Sequence, residues 1–389
     1  MPSPIREDDL PSTARAAVML EPGRIEIREF PLLPPPRGWL LLRILRSGVC
    51  GTDLHTFRGE TLQYAGTTHE RRISFPLICG HENVGLVAAT GGEVAAEDGR
   101  LLQPGERVVP GANVACGRCS YCRRGFPYYA CLRLEDYGNS LGAGAPPHLF
   151  GGWSEYMYLM PGSRLFRVPD GVTDGLAALT ELYSVTHGLN RVDGTIEGAT
   201  VYVLGCGPLG LCHVARARLL GAARVIAADP LPSRVEMARQ IGAATALPLQ
   251  ETTRSERLEV VRGATGGLGA DVAVDAAGAA EAFVEGLASL RFGGTLIEVG
   301  AFSGTREVAF DVVTHITMKD ARVMGVGGED DGAYPQSLRE MASREDLGLE
   351  SIVTHVLPLE EVSEGIELAM RGEAVKVQLQ PGVGPEGGP

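Results

Sequence analysis

The second half of the chain alternates between short apolar stretches and segments with a helical pattern. The apolar stretches predict strands at 201–204, 224–228, 272–275, 295–299 and 322–326. Helical patterns near 209–220 and 233–241 follow the first two strands. Strands that alternate with helices build a parallel sheet with helices on both faces, so the fold class is predicted to be α/β with a doubly wound sheet.

A glycine-rich turn joins the first strand to the first helix. Gly205, Gly207 and Gly210 form a G-x-G-x-x-G motif, in which Pro208 and Leu209 open the helix. Glycines at these places permit a tight turn and let backbone N–H groups approach a pyrophosphate at the helix N-terminus. In this strand–turn–helix context, the motif predicts a dinucleotide-binding domain of the Rossmann type.

The end of the next strand bears on which dinucleotide is bound. Asp229 can accept hydrogen bonds from both ribose hydroxyls and would repel a 2′-phosphate, which favours NAD over NADP. Arg234 follows and can flank the adenine or reach a phosphate, so an NADPH-dependent ketoreductase stays open as an alternative. Ala277, Val299 and Gly300 lie at two further strand ends and are expected to face the cofactor.

A run of four cysteines predicts a metal site. The sequence C-G-R-C-S-Y-C-R-R-G-F-P-Y-Y-A-C carries Cys116, Cys119, Cys122 and Cys131. Two-residue gaps let successive thiolates wrap one zinc ion, and a longer gap lets the fourth close the tetrahedron. A site closed by four thiolates has no position left for substrate, so this zinc is expected to be structural.

Composition limits the partners and the compartment. A formal net charge of −13 argues against a nucleic-acid or anionic-membrane surface, and no apolar stretch approaches the length of a membrane span. The first residues lack the apolar core of a secretory signal. Eight cysteines without such a signal fit a reducing cytoplasm and metal-bound thiolates better than disulfides.

Two upstream segments hold residues that can bind a second metal. Cys50 lies in G-V-C-G-T-D-L-H, and His81 with Glu82 lies in G-H-E-N-V-G. Alone these residues indicate little, because a buried cysteine usually acts as a small hydrophobe. Together with the cysteine run, G-G-W-S-E-Y at 151–156 and the glycine motif, they resemble the zinc-dependent medium-chain alcohol and polyol dehydrogenases. The resemblance covers about 14–380, nearly the whole chain.

The resemblance implies a domain order. A GroES-like β catalytic domain is interrupted by a Rossmann domain, and members of this family form homodimers or homotetramers. The expected regions are a disordered tail at 1–12, the catalytic domain at 13–189 with the zinc lobe at about 113–132, the NAD-binding domain at 190–329, the C-terminal part of the catalytic domain at 330–380, and a disordered tail at 381–389.

The resemblance also implies roles at the reactive metal. Cys50 and His81 match ligands of a catalytic zinc, and Asp53 matches a residue that orients a ligand imidazole. Glu82 matches a carboxylate behind the zinc. Thr52 matches the hydroxyl that touches the substrate oxygen, and His55 the next station of a proton relay.

The sequence identifies the third zinc ligand less clearly than it identifies Cys50 and His81. Glu181, in T-E-L-Y-S-V-T-H, best matches the glutamate of the polyol branch, although the proline that follows that glutamate is missing. His187 or a water could complete the site instead. With three protein ligands and one open position, the zinc would act as a Lewis acid on an alcohol, whose hydride passes to NAD.

The segment between His55 and His81 is longer than in the alcohol-oxidising branch of the family. It holds Tyr64, Arg71 and Arg72, and a loop beside a metal ligand is expected to cover the substrate cleft. The two arginines could clamp an anionic substrate or form an ordinary solvated charge pair. His148 could line the same cleft. A non-catalytic dinucleotide-binding protein is the alternative from another class.

Overall fold

The computed structural model describes residues 10–300, 307–329 and 332–382. Two units emerge from the contacts, one comprising the described residues of Met1–Glu181, Tyr334–Ser343 and Val353–Pro389, and the other Leu182–Ala333 and Arg344–Ile352. The second unit thus includes residues 182–189, 332–333 and 344–352, which the sequence predicts as parts of the catalytic domain. Most of the two predicted disordered tails lies outside the described residues, whereas Leu10 packs against the core of the first unit.

The N-terminal part of the chain is mostly β structure, as expected. Its strands are β1 (Thr13–Glu21), β2 (Arg24–Pro31), β3 (Leu40–Gly48), β4 (Leu62–Gln63), β5 (Arg71–Arg72), β6 (Leu77–Ile78), β7 (Asn83–Thr90), β8 (Arg107–Pro110), β9 (Asn113–Val114), β10 (Glu135–Asp136), β11 (Tyr156–Leu159) and β12 (Leu165–Arg167). Its helices are α1 (Gly51–Phe57), α2 (Ser120–Arg123), α3 (Asp174–Ala177) and α4 (Thr180–Val185).

Strands and helices then alternate along the rest of the chain. The strands are β13 (Thr200–Leu204), β14 (Arg224–Asp229), β15 (Thr245–Pro248), β16 (Ala270–Asp275), β17 (Leu290–Glu298), β18 (Arg322–Gly325), β19 (Val353–Pro358) and β20 (Lys376–Gln380). The helices are α5 (Pro208–Leu219), α6 (Pro232–Ile241), α7 (Arg254–Ala264), α8 (Ala280–Ser289), α9 (Val312–His315), α10 (Ala333–Ser343) and α11 (Val362–Arg371).

The first unit is organised by a seven-stranded sheet in the order β12-β8-β7-β3-β20-β19, with β11 also paired to β3. The last strand, β20, runs antiparallel to β3, with Leu379 opposite Ser47. The C-terminal end of the chain is therefore built into the sheet whose strand β3 leads directly into Cys50. Trp153, fully buried, donates its indole N–H to the carbonyl of Gly48 at 3.3 Å and fixes the end of β3.

The second unit contains a six-stranded sheet in the order β15-β14-β13-β16-β17-β18, in which every neighbouring pair is parallel. The strand order reverses at β13, between β14 and β16. In a doubly wound sheet, ligands bind at the carboxyl ends of the strands beside such a reversal. The predicted α/β Rossmann fold is thus confirmed. Within the described residues, no helix combines the length and apolarity needed to cross a membrane.

Candidate active site

Three side chains from two segments converge at the end of β3 in the first unit. Cys50 lies directly before α1, whereas His81 and Glu82 lie directly before β7. One ligand atom from each (thiol sulfur, imidazole nitrogen and carboxylate oxygen) lies within 4.8 Å of the other two. His81 is buried, and its Nδ1 has no hydrogen-bond partner among the described residues. Sulfur, nitrogen and oxygen donors so close together are a set that zinc accepts, so the residues fit the metal that the sequence predicts.

The surroundings of this cluster favour positive charge. Burial lowers the pKa of His81, but the Cys50 sulfur, Asp53 and Glu181 more than offset this and raise it well above its usual value. Asp53 is itself fully buried; burial raises its pKa, while His81 and the Cys50 N–H lower it in part. The Asp53 carboxylate accepts the backbone N–H of Cys50 at 2.8 Å. Asp53 therefore fixes the start of α1 and acts on His81 through its charge.

A buried ion pair lies behind the cluster. The Lys376 ammonium group on β20 binds the Glu82 carboxylate, 2.6 Å from Oε1, and donates to the carbonyl of Val49 at 2.9 Å. Both charged side chains are at most 1% exposed. Burial lowers the pKa of Lys376, but the Glu82 charge raises it above the usual value, so the Lys376 ammonium group stays protonated. The cavity for this carboxylate depends on Gly48, where a Cβ would lie 1.9 Å from Glu82 Oε2.

The two candidates for the third zinc ligand lie outside the three-residue cluster. Glu181, in the first turn of α4, is near enough to act on His81 and Lys376 through its charge. His187 is in the second unit, where its Nε2 lies 3.0 Å from the guanidinium of Arg216. Burial first and Arg216 second lower the pKa of His187 to about 3. Of the two, Glu181 is the residue coupled to the cluster.

Helix α1 carries the two residues matched to a proton relay. The Thr52 hydroxyl lies 3.8 Å from the Cys50 sulfur. His55 is three positions further, on the same face of the helix. Its Nδ1 is 2.8 Å from a carboxylate oxygen of Glu60, and both side chains reach the surface. A hydroxyl, an imidazole and a carboxylate are thus arranged from the buried cluster outward.

The four cysteines also converge. The sulfurs of Cys116, Cys119, Cys122 and Cys131 lie within 4.8 Å of one another. Cys131 Sγ accepts the backbone N–H of Cys116 at 3.2 Å, and Cys119 Sγ that of Cys122 at 3.5 Å. The N–H groups of Cys122 and Leu132 lower the pKa of Cys119 to about 6. Backbone donors of this kind stabilise thiolate, the form that binds zinc.

The glycine motif stands at the carboxyl edge of the parallel sheet. Gly205 adopts a φ of +89°, and a Cβ there would lie 2.8 Å from the Ala277 nitrogen. A Cβ on Gly210 would lie 1.8 Å from the Gly205 carbonyl oxygen, and one on Gly300 would lie 2.3 Å from the Gly278 nitrogen. Helix α5 begins at Pro208, followed by Leu209, and its N-cap Gly207 makes no side-chain cap. The motif, Ala277 and the Val299–Gly300 strand end thus form one edge with a helix N-terminus suited to phosphate.

Asp229 ends β14 at this edge and is buried. Its carboxylate accepts the backbone N–H of Cys206 at 2.7 Å and that of Leu231 at 2.8 Å. Arg234 lies nearby, with a guanidinium nitrogen 4.0 Å from the position of a Cβ on Gly207. Asp229 and Arg234 therefore lie next to the glycine turn, and their contacts with a cofactor stay a prediction.

The side chains proposed to line the substrate cleft are mostly engaged elsewhere. The Arg71 guanidinium forms an ion pair with buried Asp136 and lies over the ring of Tyr64. Its role as an anion clamp stays a prediction. Arg72 donates to the Thr61 hydroxyl at 3.4 Å. His148 contacts the carbonyl of Ala143 at 2.8 Å and packs on the ring of Phe30.

Comparison with known proteins agrees with this geometry. Residues 36–170 match the model of the alcohol dehydrogenase GroES-like domain, and residues 208–343 that of the zinc-binding dehydrogenases. The chain is 32% identical to 5-exo-hydroxycamphor dehydrogenase of Pseudomonas putida, over 93% of this chain and 97% of that protein. The chain belongs to the zinc-dependent alcohol dehydrogenase family. It is accordingly an oxidoreductase of the alcohol and polyol dehydrogenase type.

Two further relatives support the membership. Erythritol/L-threitol dehydrogenase of Mycolicibacterium smegmatis is 30% identical over 96% of this chain and 99% of its own length. The crystal structure of an alcohol dehydrogenase from Thermotoga maritima superimposes with a TM-score of 0.89 at 33% identity, covering 95% of this chain and 99% of that one. The zinc dehydrogenase fold therefore extends over nearly the whole chain.

Three residues of the site were not predicted from the sequence. They are Lys376, Glu60 and Asp136, which contact Glu82, His55 and Arg71 respectively. Lys376 left a signal, since a lysine inside the apolar strand V-K-V-Q-L is unusual and calls for a buried partner. The sequence gives no signal for Glu60 or Asp136, because acidic residues are common in loops.

Proposed function

We propose that the protein oxidises a secondary alcohol or a polyol with NAD, or reduces the ketone in reverse. The convergence of Cys50, His81 and Glu82 next to Thr52 carries this proposal, because it joins a metal-binding donor set to a hydroxyl. Relatives named for hydroxycamphor and for erythritol or L-threitol support the substrate class.

The catalytic zinc would be held by Cys50, His81 and Glu181, with Glu82 behind it. Zinc bound there supplies Lewis acidity, which lowers the pKa of an alcohol hydroxyl. A second zinc would be held by the four cysteines, which gives two zinc ions per chain. Lys376 pairs with the Glu82 carboxylate and would hold it in place behind the metal.

Proton transfer falls to the residues on α1. In the oxidation direction, Thr52 accepts the hydroxyl proton at Oγ1 as it gives up its own, and His55 carries that proton outward. The His55 Nδ1–H can pass a proton to the Glu60 carboxylate, which reaches solvent. A bound nicotinamide cofactor would supply the acceptor for the carbinol hydride.

The cofactor would be NAD, seated on the glycine turn. Asp229 supports this choice, because a buried carboxylate at the end of β14 would repel a 2′-phosphate. Arg234 is the observation that favours the NADPH-dependent alternative, since its guanidinium stands beside the turn. The eight cysteines form no disulfide in the part of the chain that the structure describes, which supports a reducing, cytoplasmic location.

A homo-oligomer would form through the second unit. Strand β18 is the last in the sheet, and apolar side chains stay exposed on and near it, namely Val312, Val313, Met318 and Val323. Exposed apolar surface beside an unpaired sheet edge is typical of an interface.

A substrate panel on zinc-loaded protein tests the proposal. Polyols, hydroxy acids and aromatic alcohols are offered with NAD and with NADP, and reduced cofactor is followed by absorbance. We expect turnover of at least one secondary alcohol or polyol with NAD, about two zinc ions per chain, and no turnover by Cys50→Ser although it still binds NADH. Turnover by metal-free Cys50→Ser refutes the mechanism, and about one zinc per chain without turnover favours the non-catalytic binding protein.

A further inference from the structure

A short hairpin stands between the two segments that supply the reactive residues. Strands β4 and β5 pair antiparallel, with Gln63 opposite Arg71, and the N–H of Ile73 binds the carbonyl of Thr61 at 2.9 Å. We call residues 61–73 the hairpin. Just before it, the N–H of Glu60 binds the carbonyl of His55 at 2.9 Å. The hairpin is therefore rooted on α1 at one end and leads into the Cys79–His81 segment at the other.

The base of the four-cysteine lobe presents a buried carboxylate to this hairpin. Strands β9 and β10 pair with Asp136 opposite Asn113, and they close the lobe on either side of its cysteines. The Asp136 side chain is only 3% exposed. The Asp136 carboxylate binds the side-chain amide nitrogen of Asn113 and the guanidinium of Arg71. The backbone N–H of Asp136 donates to Ser140 Oγ at 2.7 Å. One carboxylate thus joins the two strands of the lobe base to the hairpin.

Each of the three nitrogens of the Arg71 guanidinium group has a partner. Besides Asp136, it donates to the Gln63 side-chain oxygen at 3.1 Å and to the carbonyl of Leu134 at 3.2 Å. Its planar group lies 5.2 Å from the ring centroid of Tyr64. A planar fork with five donors suits such a junction better than a lysine would.

Two weaker contacts run parallel to this ion pair. The Gln63 amide donates to the Asn139 side chain at 2.7 Å, and His69 Nε2 lies 3.4 Å from the Ala130 carbonyl next to Cys131. The neighbouring Arg72 is exposed and donates to the Thr61 hydroxyl within the hairpin itself. The hairpin is thus fastened to the lobe along one face, with Arg71 at the centre.

We propose that Arg71 is a positioning residue that fastens the hairpin to the base of the four-cysteine lobe, so that the lobe determines the substrate selectivity of the zinc site. The inference rests on the proposed function, because selectivity is exercised on the alcohol. In this proposal the hairpin, which connects α1 to the His81 segment, lines one side of the substrate position. A fixed hairpin accepts alcohols of one shape, whereas a released hairpin loses contacts to the preferred alcohol and admits larger ones.

The test compares Arg71→Gln and Asp136→Asn with Arg72→Gln, a matched arginine in the same strand. Hydrogen exchange of residues 61–73 is measured on zinc-loaded protein, together with KM and kcat for small and large alcohols. We expect faster exchange in the first two variants and wild-type exchange in Arg72→Gln. For Arg71→Gln, KM of the preferred alcohol should rise about 10-fold with kcat nearly unchanged, and the preference over larger alcohols should shrink.

The outcomes separate this inference from the proposed function. Wild-type exchange in Arg71→Gln, or equal effects of Arg71→Gln and Arg72→Gln, overturns the inference, as does faster exchange without a change in selectivity. Arg71→Lys should restore part of the protection, since it keeps the charge but loses the fork. A wild-type protein that oxidises no alcohol refutes the proposed function, while the exchange experiment still reports whether Arg71 fastens the hairpin.

Discussion

The buried ion pair between Lys376 and Glu82 contributes strongly to the stability of the metal-binding region. Lys376→Met should lower the free energy of unfolding by about 3–5 kcal/mol, because it leaves the Glu82 charge buried without a partner. Urea denaturation measures this loss. Lys376→Met combined with Glu82→Gln should recover much of it, since no unpaired charge then remains. A Lys376→Met variant as stable as the wild type would contradict the prediction.

Glu60 is expected to act through His55. Glu60→Gln should lower kcat about 10-fold and increase the solvent isotope effect, because the imidazole loses the carboxylate that orients it and accepts its proton. KM for the alcohol should change little, since Glu60 reaches solvent rather than the buried cluster. Steady-state rates in light and heavy water measure both effects. Glu70→Gln is the control, as Glu70 is exposed and its carboxylate accepts the Gly66 N–H. Equal losses in both variants would exclude the relay role.

At the scale of elements, alanine substitutions at two glycines of the dinucleotide turn should affect cofactor binding and protein stability differently. A Cβ on Gly207 meets nothing closer than 4.0 Å, whereas one on Gly210 would lie 1.8 Å from the backbone oxygen of Gly205. Gly207→Ala should therefore weaken NADH binding at least about 10-fold at an unchanged Tm, because the methyl group occupies the approach of the pyrophosphate. Gly210→Ala should lower Tm as well. Fluorescence titration and thermal unfolding measure the two quantities, and a lowered Tm in Gly207→Ala would count against this division.

The helices and strands also show which parts of the structure could be predicted from sequence patterns. Helices α5 and α6 begin within a residue of the predicted positions, because glycine and proline mark helix starts locally. Helix α1 was not predicted, since seven residues carry too little periodicity and its start depends on the Asp53 carboxylate. The contact of Lys376 with Glu82 spans 294 positions and exists only because β20 pairs with β3. No local pattern encodes that pairing, so the contact of Lys376 with Glu82 could not be predicted from the sequence.

At the scale of the whole molecule, exposed apolar surface predicts self-association through the second unit. Met318 is 68% exposed and Val323, on the outer strand β18, is 46% exposed. Val323→Lys and Met318→Glu should dissociate the oligomer, because a charge at a sheet edge or in an apolar interface must be desolvated without a partner. Light scattering coupled to size exclusion measures the mass. Leu33→Glu, at a 54% exposed leucine of the first unit, should keep the wild-type mass; a monomeric wild type, or an unchanged mass in all three variants, would contradict association through this edge.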